Sequence, residues 1–179
     1  MKKLLALTLL SLSLTTFAQD RMTTKTGKIT FEASVPAFEE VKGKNDNVTC
    51  VLVPKTGDFA SLVLIKGFKF KLALMEEHFN ENYMNSDTYP KSTFKGKIQN
   101  FDAAALTSTA KEYTIKGKLE LHGKTNDLTT TAKIRKTDNG IEIISNFTVN
   151  ASDYDIEIPS VVKSKVSNKV NVKTEFTVK

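Results

Sequence analysis

The stretch EEHFNENYMNSDTYP, residues 76–90, concentrates the side chains of this protein that could do chemistry. It holds three glutamates, one of two histidines and two of four tyrosines. Glu77 and Glu81 are four apart and His78 and Glu81 three apart, so pairs of them share a helical face. Such a face could hold a metal ion or supply a general acid and base. A zinc centre, however, draws three or four protein ligands, with His and Cys prominent. The chain has only one other histidine, His122, in a predicted turn, and one cysteine, Cys50, in the strand-like NVTCVLV. A metal-dependent hydrolase built on Glu77, His78, Glu81 and His122 is therefore the weakest of three functional readings. A solvated helix face accounts for these residues more simply.

Other catalytic patterns are missing from the sequence. There is no G-x-S-x-G elbow, and the eight glycines are spread one to a turn or strand rather than gathered in a phosphate loop. Asp153 and Asp155 in SDYDIEIP lack the further oxygen ligands and closing glutamate of a calcium loop. No catalytic residue, metal ligand or cofactor site is assigned.

The elements that would position these side chains are mostly strands. From Tyr113 to Leu121, the residues Tyr113, Ile115, Gly117, Leu119 and Leu121 point one way, with Thr114, Lys116, Lys118 and Glu120 opposite. That period of two marks a strand with one buried face. The same pattern covers Ile29-Phe31, 48–53, 59–65, Phe68-Phe70-Leu72-Leu74, Phe94-Gly96-Ile98, 128–134, 141–149 and 170–178. Between the runs lie PKTGD, LHGKTND and KTDNG, which supply Gly, Asn or Asp where positive φ is easy. Connections this short join antiparallel neighbours. Met75, Phe79 and Tyr83 make one apolar stripe on a short helix over 75–84, ended by NSD and Pro90. A single helical turn is expected in FDAAAL. About eight antiparallel strands can form a two-sheet sandwich or a closed barrel, and the pattern alone leaves both open.

Residues 1–18 read as a signal peptide: Lys2 and Lys3, an apolar run over 4–14, then Thr16-Phe17-Ala18 with small residues at the cleavage positions. The expectation is one exported domain over 19–179, periplasmic or secreted. Losing Lys2 and Lys3 lowers the formal charge from +6 to +4. No basic block appears in the sequence, so nucleic acid is not an expected partner, and weak attraction to anionic lipid surfaces gives at most transient membrane contact. Eleven phenylalanines and no tryptophan either fill a core or line a hollow. A homodimer is compatible with all of this.

HFNENYMNSDTYPKSTFKGKI (78–98) followed by YTIKGKLELHGKTNDLTTTAKI (113–134) resembles the YceI-like family of exported lipid-binding proteins. The resemblance rests on His78-Phe79, Tyr89-Pro90, Thr93-Phe94, Tyr113, Gly117, Leu119, His122-Gly123 and Thr125, in order and spacing. Ala151-Ser152-Asp153-Tyr154-Asp155 stands where members carry Arg-x-Asp-aromatic-Gly. The resemblance implies an all-β, lipocalin-like antiparallel barrel of about eight strands with one or two short helices. It also implies a non-catalytic role in transport, storage or protection of an apolar lipid: a polyisoprenoid, an isoprenoid quinone or a fatty-acid-like amphiphile. With the barrel in view, the expected lining is Phe70, Leu72, Phe79, Met84, Phe94, Ile98, Tyr113, Ile115, Leu119 and Phe147. The second functional reading is a filled barrel acting through its outer surface as an interaction or stress-response module.

Overall fold

A computed structural model describes residues 21–179; the expected signal peptide, 1–18, lies outside the described residues. Nine strands appear in chain order. They are β1 (Met22–Ser34), β2 (Lys42–Val53), β3 (Asp58–Leu64), β4 (Lys69–Phe70), β5 (Lys91–Ile98), β6 (Lys111–Leu121), β7 (Lys124–Thr137), β8 (Gly140–Asn150) and β9 (Val166–Val178). One α-helix, α1 (Ala73–His78), continues into a π-helical turn over Phe79–Tyr83.

Hydrogen bonding runs β1-β9-β8-β7-β6-β5-β3-β2, and β2 pairs back onto β1. All of these pairings are antiparallel. The sheet therefore closes into an eight-stranded barrel, which excludes the sandwich and leaves no open edge along the main strands. The register of β1 to β2 shifts on both sides of Gly27. Bulges of this kind are how a strand turns a barrel corner.

The turns follow their residue chemistry. Leu121 pairs with Lys124, so His122-Gly123 is a two-residue loop, with φ of 51° and 77°. Positive φ at both positions matches the twist of the flanking strands. The loop is shorter than LHGKTND suggested, and β7 begins at Lys124 rather than near Leu128. Gly57 takes φ 75° at the end of the β2–β3 turn, and Gly140 closes the β7–β8 turn by pairing with Thr137.

One expected strand is corrected. The alternating run Phe68-Phe70-Leu72-Leu74 forms only the two-residue β4, which pairs Phe70 with Gly43 and Lys69 with Lys44. Its partner β2 begins at Lys42, so the template for pairing ends there. Glu76 then draws the chain back: its carboxylate accepts from Lys69 Nζ at 2.5 Å and from the Phe70 amide at 3.4 Å. Leu72 becomes the residue before α1, and both Leu72 and Leu74 end exposed.

The two ends of the barrel differ. Around the ends of β2, β5 and β9 the interior is solid, with Cys50, Leu52, Ile98, Ile134 and Val178 at 0–1% exposure. The other end is covered by three longer connections: 35–41, the segment 65–90 that carries α1, and 151–165. A second apolar cluster (Ile65, Met84, Ala151, Tyr154 and Ile156) locks the last two of these together.

Candidate ligand cavity

The half of the barrel under these connections is hollow. Its cavity measures about 390 Å³ and is walled almost wholly by apolar side chains. That size lies within the usual range for small-molecule sites, roughly 300–1,000 Å³. Inward positions of β1, β3, β5, β6, β8 and β9 supply the wall, because alternate side chains of every strand face the lumen.

The mouth is built on α1 and the π-helical turn. Met75, Phe79 and Tyr83 face the cavity, as the helical stripe predicts, and Met84 joins them. The Met84 amide donates to the Phe79 carbonyl at 2.9 Å, the wider i to i+5 spacing of a π turn. That turn presents Phe79, Tyr83 and Met84 on the cavity side. Phe79 stacks on Phe31 of β1, with ring centroids 5.2 Å apart and planes at 27°. Phe68 and Phe70 lie 5.6 Å and 5.1 Å from Phe79. Four phenylalanines from three segments thus form one aromatic clasp beside the entrance.

Tyr89 and His122 brace the rim. Their rings meet edge to face at 4.6 Å, and Tyr89 lies over Gly123, where a Cβ would come within 2.5 Å of its ring. His122 Nδ1 pairs with the Tyr154 carbonyl oxygen at 3.0 Å. His122 therefore ties the β6–β7 turn to the 151–165 connection. His78 touches the cavity wall and, like Glu77 and Glu81, is exposed. Among the described residues no group of three or more His, Cys, Asp or Glu side chains is placed to hold a metal ion. Asp155, in left-handed backbone at φ 54°, pairs with Lys124 at 2.7 Å.

The polar lining is sparse and partly committed within the barrel. Ser92 Oγ donates to the Glu120 carbonyl at 2.7 Å, and Ser145 Oγ to the Thr131 carbonyl at 2.6 Å. Burial pushes the Tyr83 hydroxyl above the usual phenol range. It does the same to Tyr154, where the nearby Asp153 charge adds to the rise and a hydrogen bond with Asn126 opposes it. Both phenols stay neutral and suited to an apolar neighbourhood.

Of the ten residues expected to line a hollow, Phe70, Phe79, Met84, Phe94, Ile115, Leu119 and Phe147 stand on the cavity wall. Three stand elsewhere. Leu72 is 39% exposed, for the reason given above. Ile98 faces inward but sits in the solid end, at 1% exposure. Tyr113 packs edge to face on Phe101, centroids 5.6 Å apart, at the same end. Ile98 and Tyr113 share the parity of lining residues, and parity carries no information on depth along the barrel. Important wall residues were also left off that set: Phe31, Phe59, Phe68 and Phe176, with Ile156, Ile158 and Val162 of the last connection. The signal for Phe176 was readable in the alternation of Val170, Val172, Thr174 and Phe176.

A closed antiparallel barrel, hollow at one end and roofed by a short helix, defines a lipocalin-like architecture. The YceI-like domain family matches residues 21–178, and the chain belongs to that family. Among curated proteins, none matches the sequence. A polyisoprenoid binding domain from Saccharophagus degradans is similar in structure, with TM-score 0.73 and 15% identity over 89% of this chain and 97% of that one. BcnA of Burkholderia cenocepacia gives TM-score 0.68 at 15% identity over 83% and 94%. A Campylobacter jejuni YCEI protein gives 0.60 at 18% identity over 81% and 89%. At these identities the likeness is one of fold.

Proposed function

We propose that this protein is an exported, non-catalytic carrier that seats a long apolar lipid, such as a polyisoprenoid or the tail of an isoprenoid quinone, in its barrel. The observation that carries the reading is the apolar cavity of about 390 Å³ with four phenylalanines clasped at its entrance. Membership of the YceI-like family supports it, as does the fold shared with the Saccharophagus degradans polyisoprenoid binding domain. The Lys-Lys start and apolar run of the N-terminus support export.

The energetics suffice without a special head-group contact. Each buried methylene contributes roughly 0.8 kcal/mol, so one isoprene unit offers about 3–4 kcal/mol gross. Three or four such units offer about 9–16 kcal/mol, enough to offset an association cost in most of the range of about 4–15 kcal/mol. A filled barrel acting only through its outside would not need the hollow half.

Native mass spectrometry of the purified protein tests this directly. A co-purifying mass that organic extraction removes and identifies as a lipid is expected. A protein that is empty as isolated and ignores added prenols, quinones and fatty amides would overturn the reading.

A further inference from the structure

Three inward rings close the bottom of the cavity. Phe59 of β3 lies 6.0 Å from Phe94 of β5 and 5.9 Å from Phe176 of β9, centroid to centroid. All three are at most 8% exposed and all three face the cavity. Beyond them Cys50, Leu52, Ile98 and Val178 fill the lumen and have no face on the cavity. The layer is thus the boundary between hollow and solid.

Glycines seat two of these rings. Phe94 lies over the cross-strand pair Gly96 and Gly117, where a Cβ would come within 2.8 Å and 2.6 Å of its Cζ. Phe176 lies against Gly27 in the same way, with a Cβ there coming within 2.8 Å of its Cε1. Missing side chains on β1, β5 and β6 give two of the rings a bed on the inner wall, which fixes where each ring lies. Packing against the wall and against one another leaves such rings little freedom to swing away.

We propose that Phe59, Phe94 and Phe176 set the length of lipid chain that this barrel accepts. This rests on the carrier reading and deepens it. A tail entering past the Phe79 clasp stops at the aromatic layer, and carbons beyond the length of the hollow stay outside the protein and add no burial. A cavity of about 390 Å³, near the small end of the ligand-site range, seats only part of a long chain.

The experiment is a binding series with prenyl alcohols of two, three, four and nine isoprene units, read by displacement of a fluorescent apolar probe. With wild-type protein, affinity is expected to rise about tenfold or more per added unit, then to stop rising at one length. Phe59→Ala should move that break to a chain about one unit longer. Ser61→Phe adds a ring on β3 two residues nearer the mouth, and should move the break about one unit shorter. Far-UV circular dichroism checks folding; if Phe59→Ala does not fold, Ser61→Phe decides, because it removes none of the three rings. A break at the same length in wild type and in Ser61→Phe overturns the ruler while the carrier reading stands. A folded wild type that binds none of the alcohols overturns the carrier reading, and the ruler with it.

Discussion

Phe79 stacks on Phe31 at 5.2 Å, joining the π-helical turn that roofs the cavity to the first strand of the barrel. The pair is separated by 48 positions in the sequence, and it brings the only α-helix among the described residues onto the barrel mouth.

Replacing Phe79 by Ala should therefore loosen the roof more than the barrel. Lost aromatic contacts beyond area burial are worth about 0.5–1.5 kcal/mol each, and Phe79 makes three. Affinity for an apolar ligand should fall at least about tenfold, with faster hydrogen exchange over residues 73–84 and little change over β7 and β8. Unchanged exchange in the roof would show that other contacts hold it.

Asn45 is a buried polar tie, at 1% exposure. Its Nδ2 donates to the Leu64 carbonyl at 3.0 Å, and its Oδ1 accepts from the Asn47 amide at 2.9 Å. Asn45→Leu removes both hydrogen bonds, each worth about 0.5–1.5 kcal/mol. Urea unfolding should show a lower midpoint with an unchanged slope.

Gly96 and Gly117 face each other across β5 and β6 beneath the Phe94 ring. An added methyl at either position overlaps the opposite backbone and the ring together. Gly96→Ala or Gly117→Ala should each destabilise by about 1–3 kcal/mol. Because the two sites share one space, the double variant should cost less than the sum, which a double-mutant cycle measures.

Cys50 is a fully buried thiol whose pKa burial pushes well above its ordinary value. The folded state thus holds a proton that the unfolded chain releases near pH 8.5, so this group's contribution to stability is complete below that pH. Above it, stability should decline by about 1.4 kcal/mol per pH unit until the folded thiol itself titrates. Cys50→Ala should flatten that slope in urea titrations between pH 8.5 and 9.5, below the tyrosine range. A thiol reagent should react only as the barrel opens.

Lys95 stands directly opposite Lys118, and Lys97 opposite Lys116, all four exposed on the outer face of β5 and β6. Like charges directly opposite destabilise a sheet by up to about 1 kcal/mol. Lys95→Glu should raise the urea midpoint at low salt, and the gain should shrink at high salt.

Much of the barrel was legible from one dimension. Alternation in Tyr113–Leu121 and Ile141–Val149 fixes strand identity and inward face, since a pleated strand has a side-chain period of two. Gly57, His122-Gly123 and Gly140 mark turns because they tolerate positive φ. The stripe Met75, Phe79, Tyr83 named the face of the roof that meets the cavity.

Other features depend on partners distant in the chain, and local pattern cannot carry them. Whether eight strands make a sandwich or a barrel is decided by β1 pairing with both β2 and β9. The four lysines lie in two separate stretches of sequence and come to stand opposite one another only through the β5–β6 register. Phe68 to Leu74 alternates like a strand, yet it forms one only where β2 offers backbone to pair. Depth is the last of these. Phe94 and Ile98 lie on one face of one strand, but Phe94 meets the cavity and Ile98 the solid core. The difference falls at the level of Phe59, which packs against Phe94 on the neighbouring strand and against Phe176 of β9.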